Sequence, residues 1–301
     1  MNKNKLKHAL IIPTWNASKY IEKLFASILM QTLIPEMIFI IDSSSTDETQ
    51  IKLRNYPVTI HTIPKKEFDH GKTRQLATEL VDADIYIFMS QDAVLSSKDS
   101  LQNLYDALIS SSDIACAYGR QIPSDIATPC SAHLRYFNYP TISSIKSIND
   151  IAKYGIKTCF NSDSFSAYKQ SALQSIGGFP TTSMGEDVIV AAKLLLNNFK
   201  IYYVAEALVY HSHNFNLAQE FRRYFSIGLF HKRENWIIDR FKAPTGEGFR
   251  YIQSEIIYLF QNGKWYWLPY AVCTWVVKFF GYRLGWHGNY LTEWVKSHLE
   301  Y

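Results

Sequence analysis

Residues 37–47 read MIFIIDSSSTD, an apolar run that ends in an aspartate and small polar residues. A short apolar run bounded by polar residues is typical of a strand buried inside a parallel sheet. Similar runs occur at 8–12, 58–62, 85–89 and 114–118, and amphipathic stretches of helical period separate them. Strands that alternate with helices predict an α/β fold with a mostly parallel central sheet, flanked by helices.

Polar residues directly follow three of these strands. They are Pro13, Thr14 and Asn16 after the first strand, Asp42 after the second, and Gln91 and Asp92 after the fourth. Ligands of parallel sheets bind at the carboxyl ends of the strands, so these residues predict a binding crevice. An alternative stays open for Asp42 and Ser45, since Asp and Ser also favour turns and helix N-caps.

A second acidic feature is the pair Glu186-Asp187, which opens a strongly periodic helical stretch at 188–196. The helix dipole stabilises a carboxylate at that position. No GxGxxG follows the first strand, which disfavours a dinucleotide-binding fold. The absence of GxxxxGK[ST] and of HExxH excludes P-loop nucleotidases and zinc proteases of that type.

A nucleotide-sugar donor accounts for these acids. Its diphosphate leaves only if its negative charge is neutralised, usually by Mg²⁺ or Mn²⁺ held by a few carboxylates. Asp92 suits the metal, Asp42 suits hydrogen bonds to the base and ribose, and Asp187 suits a general base for the acceptor hydroxyl. One base without a second nucleophile predicts a single displacement with inversion at the anomeric carbon.

Four motifs resemble the family 2 glycosyltransferases with the GT-A fold. They are IIPTWNASKYI (11–21), IIDSSSTDET (40–49), MSQDA (89–93) and FPTTSMGEDVIVAAKLL (179–195), the last two being a variant DxD motif and an ED base motif. Their order and spacing match the family over roughly residues 8–215. The resemblance implies a GT-A nucleotide-diphospho-sugar transferase fold and an inverting, metal-dependent hexosyl transfer.

Four further segments resemble the bacterial rhamnosyltransferase subgroup. They are EFDHGKTRQLA (67–77), AYGRQIP (117–123), LRYFNYP (134–140) and YHSHNFNLAQEFRRYFSIGLFH (210–231). This resemblance implies L-rhamnose as the sugar, dTDP-β-L-rhamnose as the donor, and a glycan or lipid-linked glycan as the acceptor. The expected process is the synthesis of a cell-surface polysaccharide such as O-antigen or capsule.

The resemblance also implies roles for individual residues. Asp42 would contact the base or ribose, Arg74 the base or diphosphate, Asp92 the metal, and Asp187 would deprotonate the acceptor. One of His211 and His213 would complete the metal site; in an extended segment only one of them faces the crevice, and we favour His211. Gln91 departs from a strict DxD motif, since an amide replaces a carboxylate, and this lowers the expected metal affinity.

Further donor or acceptor contacts are predicted for His70, Arg120, Gln121 and Glu186. Two of the assignments have ordinary structural alternatives. His70 could be a surface turn residue beside Gly71, and Arg74 could be a solvated cation on a helix face.

The bulk composition restricts the class of protein. The net charge is +4 and no basic run occurs, which argues against nucleic acid as a partner. Four scattered cysteines without CxxC spacing predict neither a zinc site nor disulfides, as is typical of the cytoplasm. The first 15 residues predict a buried strand rather than a signal peptide. We therefore expect a cytoplasmic protein.

Two regions are predicted along the chain. Residues 1–215 form the catalytic domain, with a nucleotide-sugar half at 1–120 and an acceptor half at 121–215. Residues 216–301 form a helical, aromatic-rich C-terminal region. Its apolar stretch at 265–277 contains Pro269 and is too short to cross a bilayer, which takes about 20 residues.

Two interpretations of this C-terminal region remain open. Its Trp, Tyr, Lys and Arg residues are typical of a segment lying in a membrane interface, here the inner face of the plasma membrane. Alternatively, a helical pair packs on the catalytic domain or on a second subunit of a homo-oligomer.

Three alternatives to rhamnosyl transfer were weighed. The first is a family 2 transferase that uses a UDP-hexose, and the second is a degenerate glycan- or nucleotide-binding scaffold without activity. A sugar-nucleotide pyrophosphorylase is disfavoured, because it carries a Gly-rich loop with Arg or Lys after the first strand, where this chain has PTWNASKY.

Overall fold

The computed structural model describes residues 6–242, 246–288 and 291–300. Residues 1–5 of the predicted N-terminal strand segment, and residues 243–245, 289–290 and 301 of the predicted C-terminal region, lie outside the described residues.

Strands and helices alternate along the first half of the chain, as the sequence pattern predicts. The strands are β1 (His8–Thr14), β2 (Met37–Asp42), β3 (Thr59–Thr62), β4 (Ile85–Met89), β5 (Val94–Leu95), β6 (Ile114–Ile122), β7 (Ser144–Lys146), β8 (Phe165–Lys169) and β9 (Lys200–Tyr210).

The helices fall into two sets. Those of the first 200 residues are α1 (Ile21–Leu29), α2 (Thr49–Leu53), α3 (His70–Leu80), α4 (Ser100–Ile109), α5 (Pro129–Asn138), α6 (Ile151–Tyr154), α7 (Gln170–Ser175) and α8 (Glu186–Leu196). The C-terminal region contains α9 (Leu217–Arg233), α10 (Asn235–Phe241), α11 (Glu247–Gln261), α12 (Leu268–Trp286) and α13 (Glu293–Leu299).

The described strands form one mixed sheet in the order β3-β2-β1-β4-β8-β6-β9-β5, with β7 paired to β9. The first four strands of this order are parallel, and the register places Thr14 opposite Asp42. β8 is antiparallel to both of its neighbours, β4 and β6, and Phe165 lies opposite Met89. The carboxyl ends of β1, β2 and β4 therefore lie at the same edge as the start of β8.

The core of this sheet follows from its sequence. β4 is buried along its whole length, and β1 along all but Pro13, because helices cover both faces. The apolar side chains of β1 and β4 pack against α1 and α4, with Leu10, Ile87 and Phe25 among the fully buried residues. The predicted α/β architecture is confirmed.

The stretch at 121–165, for which the sequence shows no clear periodicity, contains three of these elements, α5, β7 and α6. The local signal for α5 is present in the sequence: the Thr128 hydroxyl accepts a hydrogen bond from the Ser131 amide, and Pro129 occupies the first turn. The predicted helix stop at Gly177-Gly178 is observed, since both glycines have positive φ and the Gly178 amide donates to Leu173 O at 2.9 Å.

The chain divides into two compact units. Unit 1 comprises residues 1–121, 140–150 and 158–211, and unit 2 comprises 122–139, 151–157 and 212–301. The prediction placed 122–139 and 151–157 in the catalytic domain, whereas the structure groups them with the C-terminal helices. Contacts within unit 2 account for this grouping: His133 of α5 lies 2.9 Å from the Ser254 hydroxyl of α11, and Lys157 pairs with Glu247.

Unit 2 is built around the helices α9 and α12. Three glycines allow their backbones to approach closely, because a Cβ at Gly228, Gly281 or Gly285 would lie 2.0 to 2.6 Å from a carbonyl oxygen of the facing helix. In the described part of the chain, no helix has the length and apolar character that a membrane span requires.

Candidate active site

The Asp42 carboxylate is the centre of a hydrogen-bond network at the end of β2. It is fully buried and accepts hydrogen bonds from the Thr14 hydroxyl at 3.0 Å, the Ser45 amide and hydroxyl at 2.9 and 2.6 Å, and the Gln50 amide group at 2.6 Å. Both oxygens are therefore engaged within the protein. Asp42 holds the ends of β1 and β2 together at the edge where a nucleotide is expected.

Asn16 joins the loops that follow β1 and β2. Its φ is +46°, and its side-chain oxygen accepts a hydrogen bond from the Thr46 amide at 2.9 Å. Its own amide donates to the Ser45 hydroxyl at 2.9 Å. Asparagine tolerates positive φ better than most residues, which explains its use at this turn. Pro13, the residue before Thr14, is partly buried within β1.

Gln91 connects the loop after β4 to the loop after β1. Its side-chain oxygen accepts from the Trp15 amide at 2.8 Å, and its side-chain nitrogen donates to the Trp15 carbonyl at 3.2 Å. A carboxylate could accept the first of these bonds but could not donate the second. The amide at this position of the DxD-like motif therefore has a structural role: its two hydrogen bonds link the loop after β4 to the loop after β1.

Asp92 and His211 come together through strand pairing. Val94 of β5 pairs with Tyr210 of β9, so Asp92 and His211 lie beside the end of the same ladder. The His211 Nε2 atom lies 3.4 Å from Asp92 Oδ1, and both side chains are largely buried. His213 belongs to unit 2, where its ring stacks on Phe215 with centroids 5.1 Å apart.

Gln121 determines the tautomer of His211. Its side-chain nitrogen donates to the Ser162 hydroxyl at 2.8 Å, so its oxygen is the atom that lies 3.0 Å from His211 Nδ1. Nδ1 then donates to Gln121, and Nε2 is the ring atom that faces Asp92. The Asp92 carboxylate and His211 Nε2 therefore face each other, and the hydrogen bond to Gln121 fixes the orientation of the imidazole ring. This arrangement matches the ligands of a divalent cation site.

Arg74 occupies a buried cluster with two carboxylates. Its Nη1 atom lies 2.9 Å from Glu186 Oε1, and its Nε atom lies 3.1 Å from Asp163 Oδ2. Nη1 also donates to the His70 carbonyl at 3.0 Å. Burial would lower the pKa of Arg74, but Glu186 and Asp163 more than offset it, so the pKa is raised. Arg74 is therefore charged and buried, and the alternative that it is a solvated cation on a helix face does not hold.

The predicted base Asp187 lies next to this cluster, in the first turn of α8. One of its oxygens accepts from the Val188 amide at 2.8 Å. Burial raises the pKa of Asp187 well above the usual range of aspartate, and the neighbouring carboxylates Glu186 and Asp163 raise it further. A higher pKa makes the carboxylate a stronger base, which is what proton abstraction from a hydroxyl requires.

The sequence reasoning did not single out Asp163. It is buried and accepts hydrogen bonds from the Ser166 and Tyr168 hydroxyls at 2.7 and 2.5 Å. Burial raises its pKa, against the effect of Arg74. Its position just before β8, at the edge where β4 ends, is the signal that could have identified it.

The structure brings the predicted residues into groups within unit 1. Thr14, Asn16 and Asp42 form one network, Gln91 fastens it to the β4 loop, and Asp92, His211 and Gln121 form a second group. The third group contains Arg74, Glu186 and Asp187. The half-exposed His70 lies at the edge of this group, with its Nδ1 atom 4.0 Å from Glu186 Oε1. Arg120 lies on β6, and its Nε is buried without a hydrogen-bond partner among the described residues.

Comparison with known proteins agrees with this geometry. The model of the glycosyl transferase family 2 matches residues 9–177, more than half of the chain. The chain belongs to glycosyl transferase family 2. The predicted family and enzyme class, a glycosyltransferase, are confirmed, and the sequence motifs that carried the resemblance lie mostly within the matched residues.

Two curated relatives extend the similarity over nearly the whole chain. The O-antigen chain rhamnosyltransferase RfbN of Salmonella typhimurium is 44% identical over 287 residues, which cover 94% of this chain and 90% of the relative. The O-antigen chain rhamnosyltransferase WbaN of Salmonella anatum is 43% identical over 281 residues, covering 92% and 89%. The predicted resemblance to the rhamnosyltransferase subgroup is confirmed by both.

A solved structure supports the fold. The mannosyltransferase PcManGT from Pyrobaculum calidifontis, in complex with GDP-Man and Mn²⁺, is similar with a TM-score of 0.65 and 15% identity, covering 94% of this chain and 88% of that one. At this identity the likeness concerns the fold alone. The predicted GT-A fold is confirmed.

Proposed function

We propose that this family 2 glycosyltransferase transfers L-rhamnose, with inversion, from dTDP-β-L-rhamnose to a glycan acceptor during O-antigen synthesis. The similarity to the two O-antigen chain rhamnosyltransferases, over more than nine tenths of the chain, supports the sugar and the process. The observation that carries the reaction type is the place of Asp187 in the first turn of α8, beside the buried Arg74–Glu186 pair. Burial and the neighbouring carboxylates raise the pKa of Asp187 there, as suits a base.

The proposed reaction is a single displacement. Asp187 accepts the proton of the acceptor hydroxyl as its oxygen attacks the anomeric carbon, and the bond from that carbon to the diphosphate oxygen breaks. Attack from the side opposite to the leaving group converts a β-linked donor into an α-rhamnoside. Arg74 and Glu186 position the start of α8, and with it the base, through their 2.9 Å contact.

The donor set of Asp92 and His211 fits a divalent cation. One carboxylate oxygen and one imidazole nitrogen, 3.4 Å apart, suit Mn²⁺ at least as well as Mg²⁺, because imidazole is a softer ligand than oxygen. When bound, such a cation would neutralise charge on the leaving diphosphate. Gln91 is not part of this set, since both ends of its amide bind Trp15.

Two further residues are proposed for the donor. The buried Nε of Arg120 has no hydrogen-bond partner among the described residues, so its guanidinium is placed to receive an anionic ligand such as a diphosphate. The exposed Trp15 ring is proposed to stack on the nucleobase. Gln91 holds the backbone of Trp15, and Lys65 Nζ lies 3.7 Å from the ring centroid. Asp42 would then act by shaping the loops.

The proposal is tested with a panel of donors. Purified protein is incubated with dTDP-rhamnose, UDP-glucose, UDP-galactose or GDP-mannose, with Mn²⁺ or with EDTA, and thermal stabilisation and donor hydrolysis are measured. We expect stabilisation by dTDP-rhamnose with Mn²⁺, and we expect Asp187→Asn to bind the donor without transferring it. Stabilisation by a UDP-hexose and not by dTDP-rhamnose would overturn the rhamnosyl proposal and favour the UDP-hexose alternative. An Asp187→Asn variant with normal transfer activity would refute the assignment of Asp187 as the general base.

A further inference from the structure

Unit 2 contains a cavity of about 570 Å³ among the helices α5, α9, α11 and α12. Its wall is mostly apolar and aromatic, with Leu134, Phe137, Ile252, Trp275 and Phe279 among the lining residues. The volume lies within the range of roughly 300–1,000 Å³ that encloses small ligands. None of the lining residues belongs to the groups assigned to sugar transfer, so the cavity requires its own explanation.

Three charged residues stand in the wall of this cavity: Lys157, which pairs with Glu247, and Lys278. Lys278 is 8% exposed, and its ammonium lies 3.4 Å from Glu220 Oε1 and 5.4 Å from the ring centroids of Tyr224 and Tyr251. The two rings and the carboxylate keep the charge in place although it is buried. A ligand for this cavity therefore combines an apolar body with a negative group.

The outer face of α12 leads into the cavity. Ala271, Gly281 and Gly285 lie on the buried face of this helix, whereas Val272, Val276, Phe279, Phe280 and Leu284 are exposed at helical spacing. Phe279 is 61% exposed and also lines the cavity. Phe279 therefore connects the exposed stripe to the cavity.

The charge of the chain is distributed unevenly. The residues of unit 2 include 14 Lys and Arg against 8 Asp and Glu, a net charge of +6, whereas those of unit 1 include 17 against 19, a net charge of −2. The net positive charge thus belongs to the unit that carries the apolar stripe. A second copy of the same unit would be repelled by this charge, whereas an anionic lipid surface would be attracted.

We propose that unit 2 binds an anionic membrane surface through the stripe on α12, and that the cavity takes one hydrocarbon chain of an anionic phospholipid. The chain packs against the aromatic wall, and the lipid phosphate lies on the side of Lys278. The two exposed rings at the start of the helix, Trp265 and Tyr266, are of the type that lies at the level of lipid headgroups.

Gly248 permits a direct test of the cavity. It lines the cavity, and a Cβ at this position would meet nothing within 4 Å. Gly248→Leu therefore adds a large apolar side chain at the cavity wall without a clash, and Gly248→Ser is the matched control with a small polar one. The probe is cis-parinaric acid, a fluorescent fatty acid that accepts energy from Trp275. We expect binding of one probe per chain, and about tenfold weaker binding in Gly248→Leu only, about 1.4 kcal/mol.

The stripe is tested with vesicles in a sedimentation assay. Phosphatidylglycerol vesicles should bind the protein at low salt, phosphatidylcholine vesicles should not, and Phe280→Ser should weaken binding about tenfold. Ile126→Ser, at another highly exposed position of unit 2, is the control and should leave binding unchanged. Transfer to a water-soluble acceptor should stay at the wild-type level in all four variants, so a failure of this proposal is distinguishable from a failure of the proposed reaction.

Three results would overturn the proposal. They are probe binding that Gly248→Leu leaves intact, equal binding to the two kinds of vesicle, and a dimer in sedimentation velocity that Phe280→Ser dissociates. The last result would assign the stripe to a second copy of the chain.

Discussion

Replacement of Gly71 by alanine tests how the catalytic cluster is held. Gly71 lies in the first turn of α3, and a Cβ there would be 1.7 Å from Pro180 O and 3.0 Å from Pro180 C, where ordinary contacts are 3.4–4 Å. Backbone atoms cannot rotate away, so α3 and the segment before α8 must separate by about 1.5 Å. Two hydrogen bonds cross this contact, from the Gly71 amide to Thr182 O at 3.1 Å and from the Thr182 amide to Asp69 Oδ1 at 3.0 Å.

The cost can be worked from these contacts. Overpacking costs about 1–3 kcal/mol, and two weakened hydrogen bonds cost about 1 kcal/mol each. The better helix propensity of alanine returns about 1 kcal/mol. The expected net loss is about 2–4 kcal/mol, which lowers Tm by roughly 3–6 °C in a chain of 301 residues.

Two measurements check this reasoning. Thermal unfolding gives Tm, and steady-state transfer gives kcat, which should also fall because the displaced contact positions Arg74 against Glu186. Gly248→Ala is the matched control, since its Cβ meets nothing within 4 Å. It should leave kcat unchanged and should not lower Tm, because only the gain in helix propensity applies there. A Gly71→Ala protein that melts within 1 °C of the wild type, with normal kcat, would refute the close contact.

Three other predictions concern the chemistry. Asp187→Asn should lower kcat by about 10²–10⁴-fold with donor binding retained, as measured by calorimetry, and a smaller loss would point to another base. Because the pKa of Asp187 is raised, the base form is lost as pH falls through that raised value, so kcat should decline on the acidic side well above pH 4. Asp163→Asn removes a neighbouring charge that raises the pKa of Asp187, and it should move this decline to lower pH. A pH profile of kcat that does not move would contradict the coupling between the two carboxylates. Gln91→Glu removes the hydrogen-bond donor to the Trp15 carbonyl, which should lower the free energy of unfolding by about 1 kcal/mol. It should also raise the KM for the nucleotide sugar and leave the affinity for Mn²⁺ no tighter. Tighter Mn²⁺ binding in a metal titration would show that residue 91 is a metal ligand.

The alternation of strands and helices was predictable because it depends on local periodicity. Five of the runs correspond to β1, β2, β3, β4 and β6, and the predicted helix at 188–196 is the body of α8. The residues after the parallel strands were also predictable, since chain direction alone puts Thr14, Asp42 and Asp92 at one edge. The positions of Asp187 and His211 came from motif resemblance, and their site roles remain predictions.

The features that could not be predicted from the sequence depend on contacts between residues far apart in the chain. β7 has three residues and β5 has two, too few for a period, and each is held by its partner β9. The segments at 122–139 and 151–157 join unit 2 through contacts such as His133 with Ser254, which no local pattern encodes. The function of Gln91 could not be inferred either, because its partner is the backbone of Trp15.

The short ladder between β5 and β9 has a consequence for how such enzymes diversify. Asp92 and His211 are far apart in the chain, yet the pairing of Val94 with Tyr210 alone sets their spacing. Insertions or deletions in the loops between the two strands leave that spacing intact, provided that the ladder forms. Loops that hold none of the other proposed site residues, such as Gln121, Asp163 and Asp187, are therefore free to vary in length while the two proposed cation ligands stay aligned.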